Sequence, residues 1–420
     1  MKRVLIITYY WPPNGGAGVQ RWLKFAKYLP ASGWKPVIYT PSNPELIIAD
    51  PGLERDVPKE AEVIRRPIRE PYAIYKWVTG RKGEKVHAGF LNEKKARGGL
   101  LDKLAIWVRG NLFIPDARVA WVRPSIRFLT KYLGDHPVDA IVSTGPPHSM
   151  HLIARALHRA TGIRWIADFR DPWTNIDFYH QLRLSRRADA RHRGMEEAVL
   201  READVVVGVG WTMAAELAEP AGRPVEVITN GYDPDDIPEP PVPVDDLFSL
   251  VHVGSMNAAR DVPMLWRALA GLCRSDASFA ERLRLRFVGA VDRSALRSIA
   301  AAGLADKVER IGVVDHARAM QEMQRARVLL LALNDAPNAR GILTSKLFEY
   351  LAVGRPIIAV GPKDGDAFRV LLGRDAVFLD RTDTPEPERL RELFAHAAPV
   401  AGESSTYARD VLTRELACLL

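Results

Sequence analysis

Two stretches of this 420-residue chain carry residues whose types and spacing suit work on a phosphorylated ligand. The first reads Arg340-Gly341-Ile342-Leu343-Thr344-Ser345-Lys346-Leu347-Phe348-Glu349-Tyr350. Its pattern predicts a helix over 345–353, capped by Ser345, with Lys346 in the first turn. A helix N-terminus already carries partial positive charge, so a lysine there is unfavourable unless an anion sits beside it. That mismatch points to a bound diphosphate. Glu349, one turn further on, has enough acceptor sites for two ribose hydroxyls. The second stretch, Gly254-Ser255-Met256-Asn257-Ala258-Ala259-Arg260, follows an apolar run and precedes a helix, which brings Arg260 to the carboxyl edge of a sheet.

The N-terminal half offers weaker signals. A strand over 4–8 is followed by Tyr-Tyr-Trp-Pro-Pro-Asn-Gly-Gly-Ala-Gly. Gly15, Gly16 and Gly18 let backbone approach a phosphate or a sugar hydroxyl at the start of a helix. The spacing departs from G-x-G-x-x-G, and Thr40-Pro41 ends the second strand where a ribose-binding acid would stand. A dinucleotide cofactor is therefore not expected. His148 and His151, three apart after a strand, suit sugar or phosphate hydrogen bonding with at least one ring facing a cleft. The competing readings are a structural helix start, or a metal that lacks a third ligand nearby. Asp233-Pro-Asp235-Asp236 imitates an Asp-x-Asp metal motif but falls in a linker, so solvated charge is the better reading; no metal is expected.

The elements that must position these residues alternate along the chain. Strands are expected over 4–8, 36–40, 140–144, 165–169, 205–209 and 225–229, then over 250–253, 285–288, 308–311, 328–332, 356–360 and 376–379. Several are continuously apolar, as strands covered on both faces are. Helices are expected over 18–29, 148–160, 263–273 and 345–353. Repeated β-α-β units predict two doubly wound Rossmann-like α/β domains, 1–231 and 248–403. Residues 232–247, with five prolines between Tyr232 and Asp246, form the connector. The stretch 404–420 is a candidate to pack back on the first domain. Residues 72–133, rich in aromatic and basic side chains such as Tyr72, Tyr75, Trp77, Trp107 and Trp121, read as a helical insertion. It either completes the core or forms a surface for a lipid-linked acceptor.

Composition narrows the class. Hydrophobic residues at 47% and charged residues at 26% describe a globular protein rather than a disordered or fibrous one. Two cysteines, Cys273 and Cys418, make no disulfide or zinc framework, which fits a reducing, cytoplasmic setting. The short apolar run after Met1-Lys2-Arg3 reads as a first strand rather than a signal peptide. No run is long enough to span a bilayer. Residues 1–230 hold 35 Lys and Arg against 24 Asp and Glu, whereas 231–420 hold 24 against 27. A basic first half suits an anionic partner such as a membrane surface, with the protein peripheral at the inner membrane face. No motif of nucleic-acid recognition accompanies that charge, and nucleic acid is not an expected partner.

The glycine loop after the first strand, Val227-Ile228-Thr229-Asn230-Gly231-Tyr232-Asp233 and the Ser-Lys-Leu-Phe-Glu-Tyr-Leu-Ala-Val-Gly-Arg-Pro run together resemble the GT-B glycosyltransferases of family 4, over nearly the whole chain. Asp168-Phe169-Arg170-Asp171-Pro172-Trp173 resembles one branch of that family, active in bacterial surface-polysaccharide assembly. The resemblance implies two domains facing a central cleft and a retaining, metal-independent transferase. Its co-substrate would be a nucleotide-diphosphate sugar and its acceptor a glycan or lipid-linked molecule, with no further cofactor.

On matching positions, Arg260 stands where the family has a diphosphate-binding lysine, and Lys346 with the backbone at Thr344 and Ser345 faces the same group. Glu349 would hold the ribose, with Gly254 and Leu343 also at the nucleotide. Gly341 and Ile342 would lie at the sugar, as would Gly15, Gly16, His148, His151, Arg170 and Asp171 on the sugar and acceptor side. Three departures stand out: Ser255 for a frequent arginine, Gly341 for a donor-binding glutamate, and Arg170 near a frequent histidine. They keep two alternatives in view, a sugar-nucleotide epimerase of the same fold and a catalytically silent nucleotide-sugar-binding partner protein.

Overall fold

The computed structural model describes residues 1–45, 50–69, 107–176, 179–395 and 405–420. Compactness divides the chain into one unit of Met1–Thr229 with Leu412–Leu420, and a second of Asn230–Val411. Tyr72, Tyr75, Trp77 and the rest of the expected insertion up to 106 lie outside the described residues.

The first unit holds a seven-stranded parallel sheet. Its strands are β1 (Lys2–Ile7), β2 (Trp34–Pro41), β3 (Glu62–Arg66), β4 (Ala140–Gly145), β5 (Arg164–Phe169), β6 (Val205–Gly208) and β7 (Glu226–Val227). Their spatial order is β3-β2-β1-β4-β5-β6-β7. The continuous apolar run of β1 has its reason here. Val4 and Ile6 belong to the core on one face, with Trp22, Leu23 and Phe25, while Leu5 and Ile7 belong to the other, with Trp121 and Met150. Leu412 and Leu416 of the C-terminal helix Arg409–Leu419 join the first of these cores. Helix Val119–Asp135 covers the opposite face, where Trp121 stacks on Tyr39 at 4.8 Å and 16°. The described end of the aromatic segment thus completes a core.

The second unit holds six parallel strands: β8 (Phe248–Val253), β9 (Leu283–Val288), β10 (Val308–Gly312), β11 (Val328–Ala332), β12 (Ile357–Val360) and β13 (Ala376–Leu379). Their order is β10-β9-β8-β11-β12-β13. In both sheets the chain winds outward in one direction, then returns to the middle and winds the other way. The neighbours β1 and β4, and likewise β8 and β11, form the switch points outside whose carboxyl ends ligands of such sheets bind. Among the described residues, no helix is long and apolar enough to cross a membrane.

Three expectations are corrected. The edge strand β3 was not foreseen; it pairs only with β2 and leaves Arg65 and Arg66 exposed, so it lacks the apolar run that marked the others. The proline-rich run is strapped to its own unit by Gln324, which accepts from the Val242 N–H (3.0 Å) and donates to the Pro238 carbonyl (3.2 Å). Asp233 is not solvated charge. It is buried, and its carboxylate accepts from the Asp235 N–H at 3.1 Å to open the helical turn Pro234–Asp236.

Candidate functional site

In the second unit the candidate residues converge just beyond the carboxyl ends of β8 and β11. β8 turns at Gly254, φ +109°, and β9 at Gly289, φ +133°. Both lie in the left-handed region that side chains avoid. A Cβ on Gly254 would fall on the Lys346 ammonium. The glycine is therefore what lets this lysine fold over the end of β8.

Lys346 is the second residue of helix Ser345–Val353. Burial, with the Arg260 guanidinium adding to it and Glu349 opposing, pushes its pKa down to about 8. Arg260 closes the turn Ala258–Arg260, where Asn257 Oδ1 accepts its backbone N–H at 3.1 Å. Its Nε donates to Asn334 Oδ1 (2.8 Å), and its Nη1 donates to the Ser255 carbonyl (2.8 Å) and hydroxyl (3.1 Å). The Nη2 group has no hydrogen bond among the described residues. Burial also holds this guanidinium below its usual pKa. Ser255 thus holds Arg260 in place.

The helix that carries Lys346 is anchored from behind. The Tyr350 hydroxyl accepts from the Val253 N–H at 3.0 Å and donates to the Leu330 carbonyl at 3.4 Å, joining the helix to β8 and β11. His252 lies beneath, its Nδ1 donating to Leu330 O at 3.0 Å. Burial, then the neighbouring Lys346 charge, pushes its pKa down to about 3, so it stays neutral. Glu349 faces the N-terminus of helix His316–Arg325, where its Oε1 accepts from His316 Nε2 at 3.0 Å.

Ser345 is not the cap; Thr344 occupies that position, and Ser345 is the first helical residue. The Thr344 hydroxyl is buried with no hydrogen-bond partner among the described residues, as is Asn338 Oδ1. Leu343 is buried, Ile342 half-buried, and Gly341 ends the turn Ala339–Gly341. The glycine places no carboxylate there. Two residues that the sequence did not flag hold the loops. Asn334 orients Arg260, and Arg381 donates to the carbonyls of Asp261 (2.7 Å), Ala259 (2.6 Å) and Leu333 (2.8 Å). The only sequence signal was their position just after an apolar strand.

The first unit brings its own set together. Gly16, φ +90°, precedes helix Ala17–Tyr28, with the half-buried Gly15 beside it. Arg170 Nη1 donates to Gly18 O at 2.8 Å and Nη2 to Pro146 O, while the guanidinium lies 5.5 Å from the Tyr10 ring. Burial lowers its pKa and the exposed Asp171 opposes that shift.

Neither histidine is open to solvent. His148 is stacked on Trp173 at 4.6 Å, and His151 on Phe169 at 4.6 Å with Nδ1 2.8 Å from the Ser143 hydroxyl. Desolvation holds both rings neutral, the His151 pKa at about 3. His148 Nδ1 and His151 Nε2 are buried without partners among the described residues, and both close on Gly145, which has no side chain in their way. Asp168 is not free for chemistry. It is buried and accepts from Arg21 Nε (3.0 Å) and Nη2 (2.7 Å), Trp22 Nε1 (2.7 Å) and the Thr144 hydroxyl (2.8 Å).

Two parallel α/β sheets with this strand order match the GT-B glycosyltransferase fold, and half-buried Arg260 and Lys346 lie beyond the switch point of the second. Solved structures share it from end to end. Sucrose-phosphate synthase from Thermosynechococcus elongatus is 14% identical and aligns over 100% of this chain and 95% of its own, with a TM-score of 0.57. WaaG, a glycosyltransferase involved in lipopolysaccharide biosynthesis, is 14% identical over 99% and 95%, TM-score 0.53. The lipopolysaccharide outer core galactosyltransferase WaaB is 12% identical over 99% and 98%, TM-score 0.52.

Residues 86–236 match the family described as Glycosyltransferase Family 4, and 248–386 match Glycosyl transferases group 1. The chain belongs to these group 1, family 4 glycosyltransferases, retaining enzymes that transfer a sugar from a nucleotide sugar. No protein of curated function matches it in sequence.

Proposed function

We propose that this enzyme transfers its sugar to a glycan or lipid-linked acceptor in cell-surface polysaccharide assembly, without a metal, working in the cytoplasm at the inner membrane face. The observation that carries the donor side is the pair of desolvated cations, Arg260 and Lys346, beside the start of helix Ser345–Val353. Thr344, Ser345, Leu343 and Gly254 line the nucleotide diphosphate, Glu349 takes the ribose, and Gly341 and Ile342 lie at the sugar. The first unit holds the acceptor side through Gly15, Gly16, Arg170 and Asp171, while the buried His148 and His151 rings lie behind them and do not reach the acceptor. Its basic composition and the exposed Trp107 and Leu112 favour an anionic membrane surface.

In the reaction the bond between the anomeric carbon and the phosphate oxygen breaks, and its electron pair stays on the diphosphate. The acceptor oxygen bonds to the anomeric carbon on the same face, and its proton passes to the departing phosphate. Charge grows on that phosphate as the bond lengthens. Arg260 Nη2, the Lys346 ammonium and the first N–H groups of the helix are fixed before it arrives, so they stabilise the transition state without reorganising. Losing one such donor costs on the order of a hundred- to thousandfold in rate.

Arg260→Ala and Lys346→Ala are each expected to lower turnover at least about tenfold, with circular dichroism unchanged. Near-normal turnover in both would remove the leaving-group role. A thermal-shift screen of nucleoside diphosphates and their sugars then identifies the base and the sugar, because ligand bound only to the native state raises its stability. Strict dependence of product on acceptor excludes epimerisation, and turnover on any donor excludes a silent partner.

A further inference from the structure

Glu349 does not stand alone. His316, the first residue of helix His316–Arg325, reaches it across the gap between two helices, with Nε2 3.0 Å from Glu349 Oε1. Its Nδ1 lies 3.7 Å from Asp236 Oδ2. The backbone under His316 is fixed, because Asp315 caps the helix by accepting the Arg318 N–H at 2.7 Å. A carboxylate only accepts hydrogen bonds, so Nε2 carries the proton in this contact. The ring is therefore held between two acids, donating to one and lying beside the other.

We propose that His316 is a positioning residue: it fixes the Glu349 carboxylate in the orientation that receives the 2′ and 3′ hydroxyls of the donor's ribose, and so sets the preference for ribo- over deoxyribonucleotides. The proposal rests on the reading of Glu349 as the ribose ligand. A glutamate side chain has three rotatable bonds, and a carboxylate that must accept from two hydroxyls of a rigid ring has to be held in one orientation. The His316 hydrogen bond fixes that orientation before the ligand arrives, which lowers the ordering cost of binding. It occupies one acceptor site of Oε1. The remaining site there and the whole of Oε2, which has no hydrogen bond among the described residues, are left for the diol.

The test is calorimetric titration of the full chain with UDP, GDP and ADP and their 2′-deoxy counterparts, taking the base that binds most tightly. The wild type is expected to prefer the ribonucleotide by roughly tenfold or more, the scale of a hydrogen bond to a charged group. His316→Ala should weaken the ribonucleotide by about fivefold or more and the deoxyribonucleotide, which keeps only the 3′ hydroxyl, distinctly less, and His316→Gln should restore much of the difference. Equal weakening of both nucleotides by His316→Ala, or an unchanged preference, overturns the proposal.

Glu349→Ala separates the two layers of the argument. If it abolishes the preference and His316→Ala does not, Glu349 remains the ribose ligand and His316 loses its role. If the wild type shows no preference, or binds none of the three ribonucleotides, Glu349 loses its role and the proposal goes with it.

Discussion

Replacing Lys346 with methionine should make the ligand-free protein more stable while removing its grip on the donor. The lysine is held near Arg260 in a poorly hydrated place, and its pKa falls from 10.5 to about 8. Each pKa unit is worth about 1.4 kcal/mol of difference between the charged and neutral forms. The full shift corresponds to roughly 3 kcal/mol stored against folding at neutral pH. Residual solvent contact brings the expected gain to about 1–3 kcal/mol. Methionine keeps the length of the stem and drops the charge.

For a unit of this size that gain is an upward shift of several degrees in Tm, at about 2–4 °C per kcal/mol. Below pH 8 the lysine is charged in both states and the whole penalty is present. As pH rises from about 8 towards the unfolded value of 10.5, the folded state loses the proton first, and the penalty disappears over that window. The gap between wild type and Lys346→Met, read from urea unfolding at pH 7 and pH 10, should therefore narrow with pH. A variant that is less stable than wild type at pH 7, or a gap that does not depend on pH, would refute the reasoning.

Gly254→Ala should instead lower stability and nucleoside-diphosphate affinity together, because the new Cβ strikes Lys346 at a backbone angle of φ +109°. An expected loss of about 1–3 kcal/mol, with affinity down about tenfold, is checked by thermal unfolding and titration; retained affinity contradicts the cradle. Co-sedimentation with vesicles rich in anionic lipid should capture the protein at low salt, release it at high salt, and fall when Trp107 and Leu112 are replaced by alanine. No capture at low salt removes the membrane from the proposal.

How legible these features were in the sequence depended on how local their causes are. The apolar runs at 4–7, 328–332 and 357–360 announced strands, since each run is buried on both faces and has no polar position to blur the pattern. β3 escaped because an edge strand with one partner needs no such run. The pairing of Lys346 with an anion-seeking helix start was visible from adjacent residues. Contacts between distant residues were not. Asp168 opens the Asp168–Trp173 run in sequence, yet its partners Arg21 and Trp22 lie 147 and 146 positions away and make it part of a core ion pair. Asn334 and His316 are likewise 74 and 33 positions from the residues they hold. Only the strand order brings them together.

Charge shows why the site cannot be read from composition. The residues from 231 onward hold more acids than bases, yet the proposed anion site lies among them. Whole-domain potential does not draw a diphosphate there. In the proposed reading, what does is the partial removal of water from two cations that have no acid salt-bridged to them among the described residues. His252 underneath remains neutral, because burial and then the Lys346 and Arg260 charges outweigh its hydrogen bonds to backbone carbonyls. Two such cations held together are electrostatically strained, and in the proposed reading a diphosphate would relieve that strain. Its arrival restores the lysine's preference for its proton, and Ser255, Asn334, Arg381 and Tyr350 keep the cations from relaxing into solvent beforehand. In the proposed reading, the stability given up in holding the two cations together is the source of the preorganisation that the transition state uses.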